Sequence, residues 1–361
     1  MNKVYIREIN SYAHADLEIF IKNFFLEYFD AFKNVRKILL KPNILQASIP
    51  ERGVTTHPDF IRVVIKALRE IGNFEILLGD SPGANFKNYD KVLKITGIKK
   101  VCEDERVKIV KIENFKPLLI DDTIISSIIN DVDLIINLPK LKTHSLTGLT
   151  LAVKNLFGLV PGTNKVNFHR KNPVDEKLAD AIFKVYDIVK NKCIHILDGI
   201  IAHEGDGPSR GSPVALNFVA ASDNAVCLDM AVCDILGLGR GFCLTNKSAL
   251  KNDDAYKFTI TGDKISRKIK IPLSRKSLKV PNFLKKFVAN NIYVKPEVNK
   301  KCIGCLLCLN SCPVYAIKKS DDGKVIIDKK ACIECFCCHE VCESGAIDLK
   351  RSFFHRVIVN D

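Results

Sequence analysis

Eight of the fourteen cysteines lie near the C-terminus in two copies of one spacing: Cys302-x2-Cys305-x2-Cys308-x3-Cys312-Pro313, then Cys332-x2-Cys335-x2-Cys338-x3-Cys342. Three thiolates in so tight a loop can reach three corners of a four-iron, four-sulfur cube, and the fourth corner needs a ligand from elsewhere. A zinc site or disulfides are the alternatives. Both fit less well, since zinc ligands usually come as CxxC pairs across a long spacer and disulfides suit secreted chains. The segments CIGCLLCLNSCPVYAI and CIECFCCHEVCESGAI also read as an internal repeat, two cluster loops each followed by a short helix.

The pattern resembles the bacterial-type two-cluster ferredoxins. That resemblance implies a crossed ligand set, with Cys302, Cys305, Cys308 and Cys342 on one [4Fe-4S] cluster and Cys332, Cys335, Cys338 and Cys312 on the other. The second motif departs from the pattern twice. Glu343 stands where a proline is usual, and Cys337 is an additional thiol beside Cys338, expected to be a packing residue.

These ligands occupy a short tail on a much larger body. A chain of 361 residues with 47% hydrophobic content can bury a substantial core, and two to three domains are expected. The first ~260 residues alternate between strand and helix patterns, which predicts an α/β fold with a mostly parallel sheet and helices on both faces. Strands are expected at Lys37–Leu40, Phe74–Leu78, Val132–Asn137, Ile194–Leu197 and Leu216–Ala220, and helices at Leu17–Phe32, Asp59–Glu70, Asp175–Val189 and Asn224–Leu236. After the strands come Lys41-Pro42-Asn43, Gly79-Asp80-Ser81-Pro82-Gly83, Leu138 to His144, Asp198-Gly199 and Ser222-Asp223. Ligands of open α/β sheets sit outside the carboxyl ends of the strands, so these five loops are expected to converge on one site.

Two segments add to this expectation. In LPKLKTHSLTGLTLAVKNLFGLVP, residues 138–161, Lys154 interrupts an apolar helical run, where a lysine is costly unless it is paired or serves a ligand. In DGIIAHEGDGP, residues 198–208, three acids and a histidine lie among glycines. Together with KPN, GVTTHP, GDSPG, Asp223 and Asp229, these segments resemble the family catalogued as domain of unknown function 362, over roughly residues 1–262. The family supplies no reaction. Lys142, His144, Lys154, His203 and Glu204 are the candidates for catalysis, positioning anionic groups or moving protons. Asn43, Asp80, Ser81, Asp198 and Asp206 are the candidates for holding a cofactor.

Other chemistries find little support. Gly205 to Gly211 has the wrong spacing for a dinucleotide fingerprint, and no Walker motif or GxSxG elbow occurs. A body metal built from His57, His144, His169 or His203 with Asp80, Asp198 or Glu204, or a bound flavin, stays open. Between Lys264 and Lys286 the chain carries nine basic residues and no acidic one, out of a net charge of +14. This stretch reads as a solvated linker or as a docking strip for an acidic redox partner, and nucleic acid is not expected as the main target. The expected layout is a body at 1–262, a linker at 263–294, a two-cluster module at 295–350 and a tail at 351–361 that packs back as a strand. No secretory or membrane-spanning run is apparent, so a cytoplasmic, anaerobic setting is expected. Three functions follow in order: a ferredoxin-linked reductase of unknown substrate, an electron carrier docking a client enzyme, and a metal or cofactor assembly protein.

Overall fold

A computed structural model of the chain describes residues 1–13, 15–82, 88–172, 175–252, 256–272, 274 and 294–352. Ten strands form the main sheet: β1 (Asn2–Glu8), β2 (Lys37–Pro42), β3 (Glu75–Leu78), β4 (Lys108–Ile109), β5 (Leu134–Leu138), β6 (Lys140–His144), β7 (Gly148–Thr150), β8 (Cys193–Glu204), β9 (Ser212–Ser222) and β10 (Phe258–Gly262). Their order is β10-β1-β9-β8-β5-β2-β3-β4, with β6 paired to β8 and to β7. The run from β8 to β4 is parallel throughout.

The central strands are apolar on both faces because side chains alternate across a strand and both faces are covered. Leu39, Leu77 and Ile135 join one core, under the helices Asp175–Val189 and Ala225–Ile235. Ile38, Leu40, Ile76, Leu78, Leu134 and Ile136 join the other, under Ala15–Glu27 and Pro58–Ile71. The α/β architecture expected from the pattern is therefore present, with helices on both faces. His57 caps the second of these helices, its Nδ1 accepting from the Asp59 amide, and Asn224 caps the helix Ala225–Ile235 through its side-chain oxygen.

Three features depart from the expectation. Strand β1 buries only Val4 and Ile6 and β10 only half-buries Phe258; neither was expected, yet they pair in parallel at one edge. Strand β9 runs antiparallel to both β1 and β8. Its end at Ser222-Asp223 therefore lies beside His195 at the start of β8, at the edge opposite the other strand-end loops. Asp223 there accepts a hydrogen bond from Tyr28 (3.2 Å). Finally, β8 continues through Asp198 and Gly199 to Glu204, so Asp198 is a mid-strand residue.

The start of the basic stretch is fastened to the body. Arg267 N donates to the Ile235 carbonyl (2.8 Å), Gly205 N to Lys270 O (2.7 Å), and Ile265 and Ile269 pack on the core. Most of the rest of the stretch, and the tail residues from Phe353 onward, lie outside the described residues. The C-terminal module pairs Val294–Val298 antiparallel with Ile347–Arg351 and Ile317–Lys319 with Val325–Ile327, around the short helices Leu307–Asn310 and Cys337–Val341. Among the described residues no helix is long and apolar enough to cross a membrane.

Candidate functional site

The loops after β2 and β3 meet over a buried ion pair. Lys41 Nζ lies 2.7 Å from Asp80 Oδ1 with both side chains shielded from water, and Asp80 Oδ2 accepts the Ile44 amide (2.6 Å). Gly158 allows this approach, because a Cβ there would collide with Asp80 Oδ1 and the end of Lys41. Asn43 accepts from Lys142 Nζ (2.7 Å) and donates to Asn155 Oδ1 (2.9 Å), while Asn155 donates to the Lys41 carbonyl (3.1 Å) and to Asn137 Oδ1 (2.8 Å). This amide chain ties the end of β2 to β5 and to the helix Ala152–Asn155.

Beyond it opens a cavity of about 720 Å³, lined by the body and by the C-terminal module together. Lys142, Lys154 and Lys165 all contribute to its wall. Among the described residues Lys142 donates only to neutral oxygens, Asn43 Oδ1 and the Val54 carbonyl (2.7 Å each). Burial, with the Lys154 ammonium nearby, pulls Lys142 well below the ordinary lysine value. Lys154 is carried on the Ala152–Asn155 helix, whose first amides, Ala152 N and Val153 N, donate to Asp229 (2.7 and 3.1 Å). Lys154 has no hydrogen-bond or ion-pair partner among the described residues. Burial lowers its pKa against the attraction of Glu340. Lys165 donates to the Ser81 carbonyl and lies over the Phe157 ring (5.8 Å), and burial lowers it to about 8.

His144 joins body to module. Its Nδ1 accepts the amides of Leu146 (3.1 Å) and Thr147 (3.4 Å), so the proton of the neutral ring sits on Nε2, 3.2 Å from Glu340 Oε1. Arg170 Nε donates to the Pro313 carbonyl (2.6 Å) and covers the Tyr315 ring (5.1 Å). Arg210 donates to the Ile347 carbonyl (2.9 Å). Three polar side chains of the body therefore hold the module against the strand ends.

The two cysteine loops are built alike. Leu306 and Phe336 both adopt the left-handed conformation, as do Gly304 and Glu334, and Tyr315 and Gly345. Ala316 N donates to Cys312 Sγ (3.2 Å) and Ala346 N to Cys342 Sγ (3.1 Å). None of the cysteines is in a disulfide. Burial pushes the Cys308 thiol up to about 11, and Cys342, Cys305 and Cys302 lie near enough to add to the shift. Burial likewise raises Cys338, with Cys335, Cys332 and, more weakly, Cys308 and Cys312 contributing. Cys342 thus lies beside the first loop, and Cys312, with Cys308, beside the second, so the residues present are compatible with two [4Fe-4S] clusters; the crossed ligand sets remain those that the ferredoxin resemblance implies. The loops differ in exposure. Ile303 is 74% exposed and Cys305 is exposed, whereas Ile333 and Cys335 are half-buried, Phe336 is buried and Cys337 lines the cavity.

Of the residues expected at the site, Asn43, Asp80, Ser81, Lys142, His144 and Lys154 come together at the cavity. Four do not line it. Asp198 is buried in a separate network, 2.7 Å from Lys140 Nζ, accepting from Tyr12 Oη (2.9 Å) and the His57 amide (3.0 Å). His203 Nδ1 pairs with the Arg52 carbonyl (2.9 Å), and burial lowers the ring to about 4. Glu204 accepts the Lys270 amide (2.9 Å), and Asp206 lies in the turn after β8. Among the described residues no three Cys, His, Asp or Glu side chains converge as they would on a single metal ion. The body histidines therefore assemble no such site, with the side chain of His169 outside the description. Lys165, Thr150 and Glu340 were not foreseen. The signal for Glu340 is its place in the second cysteine motif, where the first has Asn310.

A family model described as domain of unknown function (DUF362) matches residues 38–234, and one described as 4Fe-4S dicluster domain matches residues 296–343. The thylakoid-associated protein sll1697 of Synechocystis sp. is 33% identical over 207 residues, 56% of this chain and 63% of that protein. An uncharacterized protein of the rpl9-rpl11 intergenic region of Porphyra purpurea is 44% identical over 57 residues, 14% of this chain and 76% of that protein. This chain thus covers less than two thirds of the first relative's length. The dicluster match gives the module an iron-sulfur electron-transfer role. The chain belongs to the DUF362 family, a domain of unknown function joined here to a C-terminal 4Fe-4S dicluster domain.

Proposed function

We propose that this protein is a ferredoxin-linked reductase that delivers electrons from a redox partner to a small molecule held in the cavity between body and module. When bound, the two clusters supply one-electron transfer at low potential. The observation that carries the reading is that one cavity is walled on one side by strand-end lysines and on the other by Cys337 and Glu340 of the second cysteine loop. The first loop, with Ile303 and Cys305, meets solvent, where a low-potential one-electron carrier protein can dock. Each electron the partner loses is gained by the bound molecule, and the accompanying proton comes from the cavity wall. Lys165, lowered to about 8 by burial, and the Nε2 proton of His144 are the groups placed to give it.

The test is anaerobic purification followed by iron and sulfide analysis and extraction of any organic molecule. About eight irons and an extractable molecule that changes chemically when the protein is reduced with dithionite are expected. About eight irons with a cavity that takes up no small molecule would instead make the chain an electron carrier.

A further inference from the structure

The chain shows how it treats a lysine that serves only the fold. Lys41 and Lys140, both fully buried, each have a carboxylate at 2.7 Å, Asp80 and Asp198. Lys142, Lys154 and Lys165 have none within ion-pair distance among the described residues, although all three line one cavity. An uncompensated ammonium out of water costs several kcal/mol, and an apolar residue of similar length would avoid that cost. Two acids near them lack a lysine or arginine partner among the described residues: Glu340, which His144 approaches at 3.2 Å, and Glu113, which accepts from Ser81 Oγ and the Gly162 amide and acts on Lys165. With Arg170, which lines the same wall and donates to a carbonyl, four cations face these two carboxylates, an excess of about two positive charges. Thr150 Oγ1, buried and lining the same wall, has no hydrogen-bond partner among the described residues. Phe157, Leu178, Ile182, Leu307 and Val341 give the wall an apolar part, beside neutral polar residues such as Asn310 and Ser311.

We infer that the cavity binds an organic dianion, an apolar body carrying two carboxylates or a phosphate monoester, with Lys142, Lys154 and Lys165 on the anionic groups and Thr150 donating its hydroxyl. The inference rests on the cavity being the substrate site proposed above, and it names that substrate's class. A volume of about 720 Å³ suits a molecule of cofactor or metabolite size. Lysine is a point-charge donor and accepts carboxylate and phosphate alike, so the two sources need separate probes.

The experiment is calorimetric titration of the anaerobically purified holoprotein, without any electron donor, against four probes: benzene-1,3-dicarboxylate, phenyl phosphate, inorganic phosphate and the neutral benzene-1,3-dicarboxamide. Saturable binding of the dicarboxylate or of phenyl phosphate is expected, at least tenfold weaker in Lys154→Ala, recovered in Lys154→Arg and weakened in Thr150→Val. The diamide should not bind. Iron content equal to that of the unaltered protein separates loss of the site from loss of the fold. Equal binding of diamide and diacid, unchanged affinity in Lys154→Ala, or no binding of either organic anion would overturn the inference. Binding of the anions by a protein that passes no electron to its extracted ligand would remove the reductase reading and leave the dianion site standing.

Discussion

At the level of single residues, two kinds of buried lysine have opposite consequences. Lys140 and Asp198 neutralise each other, and Asp198 also receives Tyr12 and the His57 amide. Asp198→Asn should strand the ammonium and cost about 3–5 kcal/mol, read as a lower denaturation midpoint. The double change Lys140→Met with Asp198→Leu should recover much of that loss. Lys165 is different, because burial lowers it to about 8 from 10.5. Asp80 and Glu113 pull its pKa up while Lys41 and Lys154 push it down. A depressed lysine disfavours its charged form in the fold, so this residue's contribution to stability improves as pH rises from about 8 toward 10.5. Anion binding has the opposite sign, since the ligand prefers the ammonium. Affinity for the dicarboxylate should fall as pH rises through about 8, where Lys165 loses its proton, and Lys165→Arg should remove that part of the fall in the same titration.

Secondary elements decide where those residues point. Lys140 and Lys142 share a face of β6 because strand side chains alternate, and Leu141 between them enters the core. Lys154 is placed by a single short helix whose amino end is pinned by Asp229, a residue 75 positions later in the chain. The cysteine loops depend on left-handed turns at Leu306 and Phe336 and on metal for their core, since a unit this small buries little apolar surface alone. Cys305→Ala should lower iron from about eight toward four atoms per chain and loosen the module, seen as a lost cluster absorbance and a new protease site. Iron remaining at about eight would mean that Cys305 is not a ligand.

For the molecule as a whole, the asymmetry between two similar loops sets a direction. One presents Ile303 and Cys305 outward beside the exposed Lys300 and Lys301, and the other closes the cavity. If a donor docks at the outward loop, as proposed, a net charge of +14 would favour an acidic one. The combined change Lys300→Glu, Lys301→Glu and Ile303→Glu should slow reduction by an acidic flavodoxin- or ferredoxin-type donor by tenfold or more and abolish its dependence on salt. Binding of the dicarboxylate should be unaffected. An unchanged rate would place partner docking elsewhere.

The sequence alone determined the dicluster cysteine motif, the alternation of strand and helix, and six of the ten expected body residues that line the cavity, because each of these signals is local. Ligand spacing acts within a loop, and apolar periodicity acts within an element. The direction of β9 was not local, since Leu216–Ala220 reads the same whether it pairs parallel or antiparallel. That pairing sent Asp223 to the far edge. The length of β8 kept Asp198 inside a strand, where Lys140 neutralises it. Lys165 had no motif and Glu340 only a non-ligand position inside the second cysteine motif, and only the tertiary fold brought them to one cavity with Lys142 and Lys154. Charge balance in a cavity depends on which distant residues share it, and tertiary structure alone decides that.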